Sequence, residues 1–248
     1  MKNTSNWILL RGLARGAGHW GNFFNKIRAQ FPQDQFELLD LPGNGSRYND
    51  LSPLNISEYV PLLRDKSKFI QQGLKVKILS ISLGSMVAVE WMKTYPLEVE
   101  KAYLLCTSSR GLSSFHQRLK MSNLLKVPQL ILSRKDAVFY ENTILEMVGN
   151  SFDRRNEELP KLADYSRQHP VHPKNVVRQL WAASHYDFPP KPPGEVVLIG
   201  SYGDRLVSPK CTLDIASRWG LSPVMHPWAG HEIPLDDPDW VIDKLAKF

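Results

Sequence analysis

The segment from Lys77 to Val89 constrains the fold more than any other part of the chain. An apolar, partly β-branched stretch leads into Ser-x-Ser-x-Gly, and a helical pattern follows at once. This order predicts a strand, a sharp turn with Ser82 at its apex, and a helix. Ser80 and Gly84 flank the apex, and their small size lets the strand and the helix approach closely. A serine in such a turn exposes its hydroxyl at the carboxyl end of a sheet, where it can act as a nucleophile.

The pentapeptide alone is weak evidence, because a serine nucleophile also needs a base and an acid that orients the base. In folds with this turn, the acid and the base follow the serine in chain order. Asp204 is the candidate acid, because it follows the apolar run Glu195–Gly200, which is typical of a buried parallel strand. Asp is also common in turns, so a purely structural turn residue is the alternative interpretation.

His231 is the candidate base among seven histidines. It follows a glycine in the loop after the predicted last strand, Pro223–Trp228. Its place after Ser82 and Asp204 in the chain favours it, although a lone histidine is more often structural. His226 is the rival, but it lies within the predicted strand, where its side chain is expected to point into packing.

Two backbone N–H groups are candidates for stabilising a negatively charged oxygen at this site. The short apolar strand Trp7–Leu10 is followed by Arg11-Gly12-Leu13. An N–H group after such a strand can act together with the N–H of the residue that follows the nucleophile. The predicted donors are therefore Leu13 and Leu83, and an ordinary glycine turn after the strand is the alternative.

Predicted strands and helices alternate along most of the chain. Alternation of this kind is typical of an α/β fold, in which a mostly parallel sheet carries helices on both faces. Right-handed crossovers then bring the three candidate residues to one edge of the sheet. The predicted strands lie near 7–11, 36–40, 76–81, 102–106, 195–200 and 223–227. The predicted helices lie near 19–30, 57–72, 85–95, 210–219 and 240–248.

The pattern changes between Ser108 and about Pro193. Strand signals fade there, and helical stretches at 113–125, 138–148 and 174–183 are separated by proline and glycine. We therefore expect a core of residues 1–106 and 194–248, with a helical insertion of residues 107–193. A helical extension that packs away from the candidate site is the alternative.

Taken together, these motifs resemble the α/β-hydrolases over about residues 6–106 and 194–248. The family's Asp-Leu-Pro-Gly-x-Gly-x-Ser loop appears at Asp40–Arg47, and its His-Gly loop appears at residues 11–13, with an aromatic residue, Trp20, a turn later. Within the family, the Gly-Leu and Asp-Leu-Pro-Gly motifs are most similar to those of the small MenH-type (menaquinone-pathway) and pimeloyl-ester hydrolase group. The resemblance implies an α/β-hydrolase sheet and an inserted helical cap that covers the catalytic edge and shapes the substrate pocket.

Two positions depart from the family pattern. Arg11 stands where the family usually has histidine, which alters the hydrogen bonding of this loop and places a fixed cation near the site. Met86 stands where the menaquinone synthase branch has an arginine that binds an anionic substrate. The thioether of Met86 cannot bind a carboxylate as an arginine does. That specific activity is therefore not expected. Arg11, Trp20 and Met86 are the candidate substrate contacts.

The expected function is that of a serine hydrolase, a carboxylesterase-like enzyme that cleaves a small-molecule carboxylic ester through an acyl-enzyme on Ser82. The catalytic triad would comprise Ser82, Asp204 and His231, with no cofactor and no metal. One alternative is a carbon–carbon hydrolase or lyase on the same scaffold. Another is a catalytically silent binding protein with the same fold.

Charge and composition exclude several other classes of protein. The net charge is +6, of which +4 falls in residues 107–190, where 12 basic and 8 acidic residues are interspersed. This arrangement favours a solvated basic surface over an anion-binding one, and it lacks the aromatic and basic interleaving of a nucleic-acid site.

No apolar run is long enough for a membrane span or a signal peptide, so a cytoplasmic location is expected. Cys106 and Cys211 are expected to be buried packing residues. A small-molecule substrate is the expected partner, and the sequence leaves the oligomeric state open.

Overall fold

A computed structural model describes residues 4–132 and 135–248. Its six strands form one sheet in the order β2-β1-β3-β4-β5-β6, and every neighbouring pair is parallel. The strands are β1 Asn6–Leu10, β2 Gln35–Leu39, β3 Val76–Ile81, β4 Val99–Leu105, β5 Glu195–Ser201 and β6 Val224–His226. Each of them lies within a few residues of a predicted strand, so the predicted α/β fold class is confirmed.

Helices and short 3₁₀ turns connect the strands. The α-helices are α1 Gly21–Gln30, α2 Ile56–Arg64, α3 Lys68–Gln71, α4 Leu83–Thr94, α5 Phe115–Arg118, α6 Val127–Leu132, α7 Ala137–Val148, α8 Phe152–Gln168, α9 Pro173–His185, α10 Pro209–Trp219, α11 Ile233–Asp236 and α12 Pro238–Lys247. The 3₁₀ turns are Ala17–Trp20, Gly45–Arg47 and Met121–Lys126.

Two hydrophobic cores lie on opposite faces of the sheet. Ile8 and Leu10 of β1 belong to one core together with buried residues of α2, α4 and α10. Trp7 and Leu9 of the same strand belong to the other core, with residues of α1 and α12. Because successive side chains of a strand point to opposite faces, a strand buried on both faces reads as a continuous apolar run. Mostly apolar runs of this kind marked β1, β3 and β5 in the sequence, although Lys77 and Ser80 interrupt the run in β3.

The predicted helix over residues 57–72 is two helices, α2 and α3, separated by three residues. Ser67 causes the second start, because its hydroxyl oxygen accepts a hydrogen bond from the N–H of Ile70 at 3.3 Å. The same hydroxyl donates to Glu37 Oε2 at 2.6 Å, which ties this helix start to β2.

The segment between β4 and β5 differs most from expectation. The predicted helix over 113–125 is interrupted at Leu119, whose backbone is extended. The next N–H, that of Lys120, bonds to the carbonyl of Leu206 at 3.0 Å instead of continuing the helix. Helix α8 was not predicted, because its sequence is strongly polar and contains Pro160. It begins at a serine cap, since the Ser151 hydroxyl accepts a hydrogen bond from the N–H of Arg154 at 3.4 Å.

The inserted helices pack against one another and against the sheet's own helices. Helix α7 packs on α8, α8 contacts α1 and α11, and α9 contacts α4. The division into a core of 1–106 with 194–248 and an insertion of 107–193 stays a prediction. Within residues 4–132 and 135–248, no helix is both long and apolar enough to span a membrane.

Candidate active site

Ser82 occupies a strained turn between β3 and α4. Its φ is 55° and its ψ is −115°, a conformation that residues other than glycine rarely adopt. The strain is maintained by close packing behind the turn. A Cβ atom at Gly84 would lie 2.6 Å from the carbonyl oxygen of Arg11 and 2.7 Å from that of Leu10, so only glycine lets α4 begin this close to β1. The structure thus has the predicted strand, sharp turn and helix.

Asp204 and His231 come together at the same edge of the sheet. Asp204 follows β5, His231 follows β6, and His231 Nδ1 lies 2.8 Å from Asp204 Oδ2. The other carboxylate oxygen, Oδ1, accepts hydrogen bonds from the N–H groups of Leu206 at 2.8 Å and Val207 at 2.9 Å. Both side chains are buried. The carboxylate is therefore fixed by backbone donors and can hold the imidazole in one orientation.

The environment of His231 makes its ring a stronger base. Burial on its own lowers the pKa of His231, but the charge of Asp204 and the hydrogen bond to it raise the pKa, and Glu232 adds to this effect. The net result is a pKa above the ordinary value of histidine. A base whose protonated form is stabilised in this way suits proton transfer from a hydroxyl.

Cys106 contacts the acid from the end of β4, in a backbone conformation with φ of 46°. Burial, followed by the charge of the nearby Asp204 carboxylate, raises the pKa of the Cys106 thiol well above its ordinary value. The neutral thiol is a weak donor to the carboxylate. Sequence reasoning gave Cys106 only a packing role. The sequence signal for a place beside the candidate acid was the position of Cys106 at a strand end, level with Ser82 and Asp204.

The same three side chains form the group that comes nearest to a metal site in the described part of the chain. The potential ligand atoms of Cys106, Asp204 and His231 all lie within 4.8 Å of one another. A metal-binding cysteine must be a thiolate, and the environment of Cys106 opposes that form. Asp204 and His231 also already bond to each other, so their geometry fits an acid–base pair better than a pair of ligands.

The roles of the Leu13 and Leu83 N–H groups as oxyanion donors stay predictions, with which the surroundings of both groups are compatible. Leu83 is the first residue of α4, so its N–H has no partner within the helix. Across the described residues, neither N–H makes a backbone hydrogen bond outside regular helix and strand pairing. Gly12 lets the first donor approach the serine, because a Cβ atom at Gly12 would lie 3.2 Å from Ser82 Cβ.

A cavity of about 210 Å³ lies at this edge and has Ser82, His231 and Leu13 in its wall. The rest of the wall is mostly apolar and comes largely from the helices between β4 and β5 and their loops. These apolar residues include Leu119, Leu130, Ile144, Met147, Val148, Val176, Leu180 and Leu206. Among the described residues, no hydrogen bond joins the Ser82 hydroxyl to His231. Such bonds are often long until a substrate binds.

The three candidate substrate contacts are not among the residues that line this cavity. Arg11 turns its guanidinium away, because Nη2 bonds to Glu232 Oε1 at 2.7 Å and the group lies 4.8 Å from the centre of the Trp20 ring. Met86 is buried on α4 within one of the hydrophobic cores. Substrate contact by Arg11, Trp20 and Met86 therefore stays a prediction that the shape of the cavity does not support.

A second arginine, Arg15, reaches the cavity wall and is neutralised there. Its Nη1 and Nη2 atoms bond to Glu141 of α7 at 2.8 and 2.5 Å. Ser166 of α8 donates to the same carboxylate at 2.9 Å and contacts His19 Nε2 at 2.9 Å. Burial, followed by the charges of Arg15 and Arg11, lowers the pKa of His19 well below its ordinary value, so this ring is neutral. Sequence reasoning missed the network, since Arg15 and Glu141 are 126 residues apart.

The rival base, His226, has a structural role. Its Nδ1 accepts hydrogen bonds from the N–H groups of Trp228 at 3.2 Å and Ala229 at 2.9 Å. Its Nε2 lies 3.2 Å from Asp237 Oδ2. His226 is buried and does not line the cavity at Ser82, which agrees with its predicted place in packing.

Solved structures with the same fold include several hydrolases. An enol-lactonase from Burkholderia xenovorans has a TM-score of 0.76 and 15% identity, covering 99% of this chain and 91% of that one. An esterase from Rhodococcus sp. has a TM-score of 0.74 and 14% identity, covering 99% and 90%. A thermophilic esterase from Thermogutta terrifontis has a TM-score of 0.72 and 15% identity, covering 99% and 89%.

At these identities the structural likeness establishes the fold alone. No curated protein matches the chain at the level of sequence. A family model described as the alpha/beta hydrolase family matches residues 7–244, which is nearly the whole chain. The chain therefore belongs to the alpha/beta hydrolase family.

Proposed function

We propose that this protein is a serine hydrolase that cleaves a small carboxylic ester through an acyl-enzyme on Ser82. One observation carries the proposal: His231, which is hydrogen-bonded to the buried Asp204 at 2.8 Å, shares a cavity wall with Ser82, and Ser82 lies in a strained turn. A nucleophile, a base and an orienting acid arranged in this way are the components of acyl transfer.

The reaction proceeds in two halves. His231 takes the hydroxyl proton as Ser82 Oγ attacks the ester carbonyl, and Asp204 stabilises the imidazolium that results. The N–H groups of Leu13 and Leu83 stabilise the oxyanion, each by about 3 kcal/mol. His231 then gives the proton to the leaving alcohol. Water repeats the attack on the acyl-enzyme, which releases the acid and restores Ser82.

The cavity favours an apolar acyl group of limited size. Its volume is about 210 Å³, and its walls are largely aliphatic. An apolar cavity of about 150 Å³ accommodates a benzene molecule, so this one fits an acyl group of about four to eight carbon atoms. The cation on the wall, Arg15, is paired with Glu141 and offers no free charge to an anionic substrate. We therefore propose neutral esters as the substrate class.

Hydrolysis of p-nitrophenyl esters with acyl chains of increasing length tests this proposal. We expect the highest kcat/KM within about four to eight carbon atoms, and loss of kcat by at least about 10⁴-fold in Ser82→Ala. Ser85→Ala is the matched control, because Ser85 is a buried serine on the same turn whose hydroxyl bonds to that of Ser80 at 3.1 Å. Substantial turnover in Ser82→Ala would refute the acyl-enzyme.

A wider set of substrates distinguishes the proposal from its alternatives. The set includes a lactone, because a lactone is a cyclic ester and one protein of similar fold is named an enol-lactonase. If carbon–carbon substrates were cleaved and esters were not, the chemistry would be that of a carbon–carbon hydrolase or lyase. If Ser82 failed to react with a fluorophosphonate probe, the protein would be a catalytically silent member of the family.

A further inference from the structure

We propose that two buried amide side chains, Gln179 of helix α9 and Asn44 of the loop after β2, are positioning residues for the oxyanion site. They hold the oxyanion loop, defined here as residues 11–15, so that the N–H of Leu13 points into the cavity at Ser82. This inference rests on the proposed function, and it assigns a part in catalysis to a helix of the insertion.

The oxyanion loop adopts a conformation that its sequence does not favour. Ala14 has a φ of 55°, in the left-handed region that residues with a Cβ atom rarely enter. Its N–H donates to Gln179 Oε1 at 2.9 Å across 165 residues of sequence. A strained backbone persists only where surrounding contacts hold it, and Gln179 supplies such a contact directly at the strained residue.

Asn44 acts on the peptide group that carries the proposed donor. Its Nδ2 donates to the carbonyl oxygen of Gly12 at 3.4 Å and to that of Arg15 at 3.1 Å. The carbonyl of Gly12 and the N–H of Leu13 belong to one planar, trans peptide, so they point in opposite directions. A hydrogen bond that fixes the carbonyl therefore also fixes the direction of the N–H.

Gln179 links the two ends of this arrangement. Its Nε2 donates to Asn44 Oδ1 at 2.7 Å and to Ser52 Oγ at 3.0 Å. Ser52 in turn donates to the carbonyl of Pro42 at 2.7 Å. Because Asn44 Oδ1 is held by Gln179, the Nδ2 end of the same amide is directed at the oxyanion loop. One side chain of α9 thus orients both the strained Ala14 peptide and the amide that bonds to Gly12.

Burial makes the arrangement rigid. Gln179, Asn44 and Ser52 each have 0% of their surface exposed. Water does not compete for these bonds, and a buried polar network with matched donors and acceptors selects one geometry. An oxyanion donor needs this kind of support, because a displacement of about 1 Å at a catalytic group can lower the rate by about 100-fold.

The test is Gln179→Leu, which removes both ends of the amide and keeps a side chain of comparable bulk. We expect kcat for the best ester to fall by about 10- to 100-fold, since one oxyanion donor is worth up to about 10³-fold. KM should change by less than about threefold, because the apolar wall that binds the acyl group is untouched. The labelling rate of Ser82 by a fluorophosphonate should fall in parallel, since phosphonylation uses the same donors.

Two further variants distinguish positioning from a merely structural role. Thr143→Val removes a buried hydroxyl of α7 that bonds to the carbonyl of Phe139 at 2.9 Å and lies outside the oxyanion loop. It should lower the thermal stability and leave kcat and the labelling rate of the folded protein unchanged. Asn44→Asp keeps an acceptor for Gln179 but loses the donor to Gly12. In the double variant with Gln179→Leu, the fold-loss of kcat should be smaller than the product of the fold-losses in the two single variants.

The outcomes are separable from those for the proposed function. Unchanged kcat and labelling rate in folded Gln179→Leu, with active wild type, would overturn this inference and leave the serine hydrolase in place. Equal losses of kcat in Gln179→Leu and Thr143→Val would also overturn it, because a general effect of the insertion would then explain both. Wild-type protein that neither hydrolyses esters nor labels at Ser82 would overturn the proposed function and this inference together.

Discussion

At the scale of single residues, the candidate site depends on a few side chains whose neighbours fix their direction. Asp204 is held by two backbone N–H groups and in turn holds His231. Gly84 lets the start of α4 pack closely against the carbonyl oxygens of Leu10 and Arg11, next to the strained turn of Ser82. Each of the three candidate residues also lies in a local sequence pattern, which is why all three were candidates from the sequence alone.

The dependence of activity on pH follows from the raised pKa of His231. The base must be neutral to accept the proton of Ser82, so kcat/KM should rise as the pH increases through the pKa of the free enzyme. The midpoint of that rise should lie above the ordinary pKa of histidine, because Asp204 stabilises the protonated ring. A pH profile of ester hydrolysis measures the midpoint. A midpoint below the ordinary pKa of histidine in the wild type would contradict the account.

The role of Asp204 is tested by Asp204→Asn, in which the rate of ester hydrolysis should fall by about 10⁴-fold.

At the scale of elements, the local pattern of the sequence predicted the sheet and the helices of the core. Strands β1, β3 and β5 are buried along much of their length, so each leaves a mostly apolar run in the sequence. The elements that were missed depend on distant contacts. The helix predicted over 113–125 ends early because the N–H of Lys120 bonds to Leu206. The polar helix α8 is stabilised by packing on α7, which no local pattern records.

The candidate site divides in the same way. Ser82, Asp204 and His231 each follow a recognisable strand, so their order and position were predictable. The bond between Gln179 and Ala14 spans 165 residues, and the pair of Arg15 and Glu141 spans 126. Such contacts form only when the inserted helices pack over the sheet. A single sequence therefore does not indicate which residues form these pairs.

The pair of Arg15 and Glu141 connects the oxyanion loop to helix α7 and should contribute strongly to stability. Glu141 is fully buried, so Glu141→Gln leaves an uncompensated cation in the interior. We expect the free energy of unfolding to fall by about 3–5 kcal/mol. Urea denaturation measures this change. The control is Glu157→Gln, which breaks an exposed pair with Arg154 and should cost less than about 1 kcal/mol. Equal losses in the two variants would contradict the assigned role.

At the scale of the whole molecule, the sheet positions the candidate reacting groups, and the helices between β4 and β5 provide most of the wall around them. The parallel strands bring Ser82, Asp204 and His231 to one edge, as expected for a sheet of this type. The helices between β4 and β5 then enclose a cavity of about 210 Å³ over that edge. Under the proposed function, we therefore expect the helices between β4 and β5 to set the substrate size and the groups at the sheet edge to set the chemistry.

Two adjacent valines of α9 test this division of roles. Val176 lines the cavity, whereas Val177 is 65% exposed. Val176→Phe should reduce the space for the acyl group and shift the preferred chain length of p-nitrophenyl esters to shorter acyl groups. Val177→Phe should leave the chain-length profile unchanged. If both variants kept the wild-type profile, the acyl group would not bind in this cavity.

The central claim is that Ser82 is an activated nucleophile, and covalent labelling tests it most directly. Wild-type protein, Ser82→Ala and Asp204→Asn are treated with a fluorophosphonate, and intact mass and peptide mapping identify the adduct. The account predicts one adduct per chain on the peptide that contains Ser82, no adduct in Ser82→Ala, and much slower labelling in Asp204→Asn. An adduct at another residue, or equal labelling of wild type and Ser82→Ala, would contradict it.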